Sequence, residues 1–331
     1  MKNFMFLLGA VIIFGSCSTG DAATALMLGR SSQAPVFLDC RPVSEDEIEF
    51  VFSKPVEVTY LSLNPVNEIV SIKGGSTVSV TLEKKIEPGI LVTADLLAED
   101  ADKNTINVLV PFRARNNRMP ELVINEVRTE YSNPRAEFIE FKMKSAGNLG
   151  AMRIFLAGGG TQKPTIYEFA PVEVLKGEYV VLHLRRLEED CRDEYGTNLS
   201  ESGGTQSLPT ARDFWVPGTS KLINTTGVVY ILDQDDRVLD AVMFSDNKNS
   251  QWPKDYLQEA AEFLYSRGAW KSVNGNICGS ADALNSANTT LTRTICRDET
   301  KENTGTASDW YVTVTSGATP GKPNNPGRYV P

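Results

Sequence analysis

The chain has 331 residues, 33 Lys plus Arg against 42 Asp plus Glu, a single His and a formal charge of −9. At about 150 residues per domain, this length leads to an expectation of two domains. Hydrophobic residues at 41% and charged residues at 23% exclude a disordered or collagen-like chain. The acidic balance lacks the basic footprint of a nucleic-acid binder, and one histidine excludes multi-His metal sites.

Lys2 precedes an apolar run from Phe4 to Phe14. A bilayer span needs about 20 apolar residues, so this run fits the h-region of a signal peptide over residues 1–16. Gly15-Ser16-Cys17 follows directly and resembles the lipobox of bacterial lipoproteins, with Phe14 where that motif usually has Leu. The resemblance implies cleavage before Cys17, palmitate-type acylation of Cys17 and attachment to a membrane of the bacterial cell envelope, on the periplasmic face or the outer membrane. The plainer alternative is ordinary secretory cleavage beside a buried cysteine. Residues 17–34 are small and polar, as in a flexible tether. A signal peptide implies an oxidising compartment. Cys40, Cys191, Cys278 and Cys296 remain and allow three connectivities. The expected pairing is Cys278 with Cys296, after which Cys40 either pairs with Cys191 or both stay free. CxxC spacing, which a zinc site would want, is missing.

Residues 35–117 alternate strongly. Ile48, Phe50 and Phe52 form one set; Val78, Val80 and Leu82 form another. Ile90, Val92, Ala94 and Leu96 follow, then Ile106, Val108, Val110 and Phe112. A period of two puts each set on one face of a strand. Ser53-Lys54-Pro55, Asn64-Pro65, Gly74-Gly75, Glu87-Pro88-Gly89 and Asp100 to Asn104 punctuate the strands. Short strands with turn signals every ~8–12 residues predict a β-sandwich. Glu47 to Val56 resembles one strand and its kink in bacterial Ig-like modules, which implies a spacer or adhesive domain.

Residues 118–331 open with Leu122-Val123-Ile124-Asn125-Glu126-Val127, followed by Glu137-Phe138-Ile139-Glu140-Phe141. Val228 to Leu232, the Asp233–Arg237 turn and Val238 to Val242 read as a hairpin. Leu291-Thr292-Arg293, read as a strand, then Ser308-Asp309-Trp310 and Thr319-Pro320-Gly321-Lys322-Pro323-Asn324 come last, with Thr for Ser at 290 and 319. In this order the motifs resemble the lamin tail domain family. The resemblance implies a second Ig-like β-sandwich used for binding or positioning, with no catalytic residues. The expected fold class is therefore all-β: two tandem Ig-like sandwiches, the second carrying an insertion at 247–288. In that insertion Leu257, Ala260, Ala261 and Leu264 recur as the apolar face of a short helix, with Pro253 in its first turn and Gly268 at its end. Leu199 to Pro217 reads as a second extra loop.

Several residue groups invite a chemical reading. Asp233 to Asp236 is dense in carboxylates, but an EF-hand needs Gly at the sixth position and Glu at the twelfth. Val238 and Phe244 stand there, so the segment is read as a hairpin turn. Gly158-Gly159-Gly160-Thr161 leads to a strand-like segment, whereas a phosphate loop opens a helix. His183 lies in a strand without a visible nucleophile. Glu126, Glu137 and Glu140 raise glycoside hydrolysis, which runs on paired carboxylates; as strand residues they read as framework. Trp252, Tyr256 and Trp270 are either core cover or a partner surface, aromatics being enriched at binding hot spots.

The expected function is a lipid-anchored bacterial cell-envelope protein with a binding or scaffolding role, without catalysis and without cofactors. Its expected partners are the membrane, through the lipid, and a protein or envelope glycan, with no nucleic acid. The alternative is an envelope hydrolase using a carboxylate pair.

Overall fold

The computed structural model describes residues 12–14, 33–158, 164–246, 251–273, 275 and 278–331. Cys17, nearly all of the expected tether and Gly159 to Thr161 lie outside them. The chain divides into two compact units, Met1–Asn117 and Arg118–Pro331. Both are built of β-sheet, and one α-helix belongs to the second.

Unit 1 contains β1 (Ile12–Phe14), β2 (Phe37–Pro42), β3 (Glu47–Asn64), β4 (Ile69–Lys73), β5 (Gly75–Leu82), β6 (Leu91–Glu99) and β7 (Thr105–Arg113). β3 serves two sheets. Its first part pairs with β2 and β5, its last part with β6. Ser53-Lys54-Pro55 was expected to punctuate the strand. Strand β3 instead runs on through it, with the register against β5 shifting between Val51 and Val56. Proline has no N–H to give a ladder, so a strand tolerates it at such a break. The backbone of β1 pairs antiparallel with Asn107–Leu109 of β7. The alternating residues named above form the core: Phe50, Val78, Val80, Val92, Ala94, Leu96 and Val108 are fully buried. The β6–β7 turn is tied by Asp100, which accepts the amides of Asp102 and Asn104, both at 2.9 Å, and pairs with Lys54 at 2.9 Å.

Unit 2 contains β8 (Leu122–Arg128), β9 (Phe138–Met143), β10 (Gly147–Asn148), β11 (Arg153–Ala157), β12 (Thr165–Glu168), β13 (Glu173–Val174), β14 (Tyr179–His183), β15 (Arg212–Trp215), β16 (Gly227–Leu232), β17 (Val238–Ser245), β18 (Leu284–Asn285), β19 (Ile295–Arg297) and β20 (Trp310–Val312). One sheet has the order β15-β14-β9-β8-β19-β20, the other β12-β11-β16-β17-β18; β10 and β13 form a small ribbon. Ile124, Phe141 and Leu182 from the first sheet share a core with Ile154, Val229 and Val242 from the second. Two expectations shift. The Leu199–Pro217 loop contains β15, which lies parallel to β14, and the strand expected at Leu291-Thr292-Arg293 forms at Ile295–Arg297. The β16–β17 hairpin turns as expected: Asp233 Oδ1 accepts the amides of Asp235 and Arg237 at 2.8 and 2.9 Å.

Helix α1 (Asp255–Ser266) buries Leu257, Ala260, Ala261 and Leu264, the predicted stripe. Pro253 precedes the N-cap Lys254 and so lies outside the first turn. Gly268, at φ 68°, ends the helix by donating to the Tyr265 carbonyl at 3.0 Å, the left-handed cap that glycine adopts without strain. Every residue of β16 is buried; such a strand needs cover on both faces, because successive side chains alternate. The helix supplies cover at Tyr230, whose ring lies 5.3 Å from Phe263.

This packing corrects two expectations. Trp252 and Trp270 are not a partner surface: they are 8% and 1% exposed. Their indole N–H groups donate to the carbonyls of Cys278 and Asp282 at 3.2 and 3.0 Å, and Tyr256 packs partly buried against the same core. The four cysteines are also unbridged. Cys278 Sγ sits 4.0 Å from the Trp270 carbonyl, whereas Cys296 Sγ lies 3.6 Å from Thr294 Oγ1 on the six-stranded sheet. The expected Cys278–Cys296 link fails because each thiol is packed into its own surroundings. Cys40 stays on β2 of unit 1, and Cys191 is buried in unit 2 as a free thiol.

Candidate functional site

The three glutamates singled out in the sequence are all fully buried in unit 2. Glu126 on β8 and Glu140 on β9 stand directly opposite one another. Glu126 accepts the Thr294 hydroxyl at 2.5 Å and the Thr319 amide at 3.1 Å. Glu140 accepts Asn125 Nδ2 at 2.8 Å and the Gly321 amide. Asn324 Nδ2 then donates to the carbonyls of Asn125 and Arg297, both at 3.0 Å. The residues that carried the family resemblance thus meet: the Asn125-Glu126 and Glu140 positions strap down the Thr319–Asn324 segment. Gly321 is held at φ 75°, and a Cβ there would lie 2.6 Å from Thr210 Oγ1, so glycine is required on two counts.

Burial pushes the Glu126 carboxyl up to about 7, against the hydrogen bonds from Thr294 and Thr319. Burial and the neighbouring Glu126 push Glu140 well above the usual carboxylate range. A raised acid next to a second carboxylate is what an acid–base pair looks like electrostatically. Here the oxygens are committed to backbone and side-chain donors and sealed from solvent. Glu137 is a separate matter. It receives both Nε and Nη2 of Arg185, at 2.6 and 2.7 Å.

His183 has the partner that its strand sequence did not reveal. Its Nε2 lies 2.9 Å from Asp213 Oδ1, and its ring stacks on Trp215 with centroids 3.8 Å apart. Strand β15 creates both contacts by running parallel to β14. Burial lowers the imidazole below its ordinary range, against the pull of Asp213. Asp213 Oδ2 accepts the Leu208 amide at 2.7 Å, so the pair also anchors the preceding loop. Among the described residues, no serine, threonine or cysteine hydrogen-bonds the imidazole.

A pocket of about 330 Å³ lies beside this pair. Arg128, Arg135 and His183 contribute its titratable groups; Phe138, Leu208, Leu291, Ala318 and Pro320 contribute apolar wall; Thr205, Gln206, Thr292 and Ser316 contribute polar groups. The Arg128 guanidinium lies 4.6 Å above the Phe138 ring. Burial brings it down to about 10, with Glu126 acting against that shift and Arg135 adding to it, so it stays charged at neutral pH. The sequence did not single out Arg128, Arg135 or Asp213. The available signal was an arginine closing a strand of otherwise apolar and motif residues, Leu122 to Arg128. A second was the Phe214-Trp215 pair after Arg212-Asp213, aromatics being enriched in strands.

Among the described residues no cluster of His, Cys, Asp and Glu could hold a metal ion. Nor is any described helix long and apolar enough to cross a membrane.

Residues 120–312 match the TP_1001 protein second-domain family. The match covers more than half of the chain, and the chain belongs to that family. A relative is an uncharacterized protein of Treponema pallidum (strain Nichols), 29% identical over 189 residues. The alignment covers 54% of this chain and 47% of the relative, so the chain spans about half of that protein's length. Among solved structures, the N-terminal part of the bacterial S-layer protein SbsC aligns with 68% of this chain and 46% of its own, at 15% identity and a TM-score of 0.25. That score is too low to carry an argument about fold or function.

Proposed function

We propose that this chain is a lipid-anchored protein of the bacterial cell envelope whose second unit binds or positions a partner without catalysing a reaction. The observation that carries the non-catalytic reading is the fate of the carboxylates. Glycoside hydrolysis needs two carboxyl groups flanking an accessible bond. Glu126 and Glu140 instead hold the Thr319–Asn324 segment, and Glu137 is spent on Arg185. His183 has an orienting acid, but among the described residues no serine, threonine or cysteine hydrogen-bonds its imidazole, and acyl transfer needs a nucleophile held by its base.

The anchor reading rests on Gly15-Ser16-Cys17 after the apolar run. Within the family, unit 2 is read as a lamin-tail-like sandwich. The support is that Asn125, Glu126, Glu140, Thr319, Gly321 and Asn324 of those motifs belong to one hydrogen-bonded unit. Fold analogy is only an associational warrant for function, so the reading needs two direct tests. Metabolic labelling with a palmitate analogue should mark the wild type and spare Cys17→Ala; equal labelling of both ends the anchor proposal. Purified protein should show no turnover of glycan, phosphoester or peptide substrates. Turnover abolished by Glu126→Gln or Glu140→Gln, with the fold intact by circular dichroism, would replace binding with the hydrolase reading.

A further inference from the structure

We infer that the pocket beside His183 binds one anionic group, a carboxylate or a phosphate, on a ligand about the size of a single sugar. The inference rests on reading unit 2 as a binding module and names the chemistry that it would recognise.

The argument begins with an exception. Four arginines are buried among the described residues of unit 2: Arg128, Arg185, Arg212 and Arg297. Three have carboxylate partners. Arg185 pairs with Glu137 at 2.6 Å, Arg212 with Glu178 at 2.7 Å and Arg297 with Asp240 at 2.5 Å. Arg128, only 7% exposed, has no such ion pair among the described residues. Its Nη1 donates to Gln206 Oε1 at 3.0 Å and to the Ala136 carbonyl at 3.4 Å, both neutral acceptors, and its Nε has no hydrogen-bond partner. Burying a charge without a counter-charge is costly. A unit that supplies a carboxylate to each of its other buried guanidiniums leaves this one facing a cavity.

The cavity matches. Its wall holds a second guanidinium, that of exposed Arg135, and no Asp or Glu, in a chain of net charge −9. The nearby carboxylates point their bonds elsewhere: Glu126 to Thr294 and Thr319, Asp213 to His183 and Leu208, Glu188 to the Thr205 amide. Thr292 and Ser316 add hydroxyls at the wall, while Phe138 and Pro320 add apolar surface. A volume of about 330 Å³ is at the small end of ligand pockets, which suits one ring carrying one charge. Guanidinium groups favour carboxylate and phosphate because their planar donors match both oxyanions.

The test is calorimetric titration of the detergent-solubilised full chain with glucuronate, glucose 6-phosphate and glucose. One or both acids should bind, and glucose should bind at least about tenfold more weakly, as expected for a hydrogen bond to a charged group. Binding of glucuronate alone assigns a carboxylate, of the sugar phosphate alone a phosphate, and of both a site that selects charge. Arg128→Gln should weaken the acids by about tenfold or more. Arg135→Gln, at an exposed position where folding is not at stake, should weaken them by about two- to fivefold, with the loss shrinking in high salt. The inference is overturned if neither acid binds, if glucose binds equally well, or if Arg135→Gln leaves acid affinity unchanged. None of these outcomes depends on whether Cys17 carries lipid.

Discussion

The two units bury different things. In unit 1 the described core is almost purely apolar, with Glu45, Asp100 and Asn116 the polar residues that are buried there. In unit 2 the interior also holds Glu126, Glu137, Glu140, Asp213 and Asp240, together with His183 and four arginines. The first unit is held by sheet faces that exclude water. The second adds charged pairs that fix which loop lies where: Arg185 reaches the Thr219 carbonyl, Arg212 the carbonyls of Glu194 and Gly196, and Arg297 the carbonyl of Ile124. Buried pairs are weak contributors to net stability but severe to break on one side. The difference therefore predicts unlike responses to mutation.

The largest expected effect is at the Glu137–Arg185 pair. Arg185→Met strands a fully buried Glu137 and should cost about 3–5 kcal/mol in urea denaturation. Replacing both partners, Glu137→Leu with Arg185→Met, should recover most of that loss, because no charge is then left unpaired. A double variant as unstable as the single one would show that the pair contributes net attraction. In unit 1 the matching experiment is Leu96→Ala, which removes a fully buried side chain and should cost about 2–5 kcal/mol through the cavity left behind. No second substitution elsewhere should rescue it.

This contrast also explains what was legible in the sequence. In unit 1 the alternating residues Phe50, Val80, Leu96 and Val108 are the core, because each strand has one buried and one more exposed face and period two reports that directly. Strands β2 and β4, which have no fully buried residue, and the run of β3 through Pro55 were less legible, since a proline that interrupts one ladder and a proline that ends a strand look alike. In unit 2 the strands β14 and β16 are buried almost throughout, so alternation carries little information. The helix remained legible because its period is distinct. The site was not. Arg128 and His183 lie on different strands, and Asp213 meets His183 only through the parallel pairing of β15 with β14. Such a pairing leaves no local mark. The glutamates were recognised by motif, but their role as acceptors for Thr319 and Gly321 depends on a contact across more than half of the second unit's sequence.

A smaller effect tests that strap. Gly321→Ala places a Cβ against Thr210 at a positive φ and should cost about 1–3 kcal/mol. Lys322→Ala, at the exposed neighbouring position, should change stability by less than about 0.5 kcal/mol. Equal losses at the two positions would mean that the segment is not held by Glu126 and Glu140 as described.

The last prediction sets the two units' acids against each other in pH. In unit 1, burial pushes the Asp100 carboxyl up, but hydrogen bonds from Lys54 and Asn104 outweigh it and hold the group below its ordinary 3.8. A lowered acid contributes stability that is present above its ordinary value and is lost as pH falls through the folded one. The deficit of Asp100→Asn against wild type should therefore shrink as pH falls below 3.8. In unit 2, burial raises Glu126 from 4.5 to about 7. Between those values the folded state holds a proton that the unfolded chain has released, so the folded state loses stability as pH rises from 4.5 to about 7. Glu126→Gln has no proton to lose and should gain on wild type across that window, whatever its offset at pH 4.5. Thermal midpoints of both variants and wild type from pH 3 to 8 decide the matter. Parallel curves for Glu126→Gln and wild type between 4.5 and 7 would mean that Glu126 is ionised throughout, and that its bonds to Thr294 and Thr319 outweigh the cost of burial.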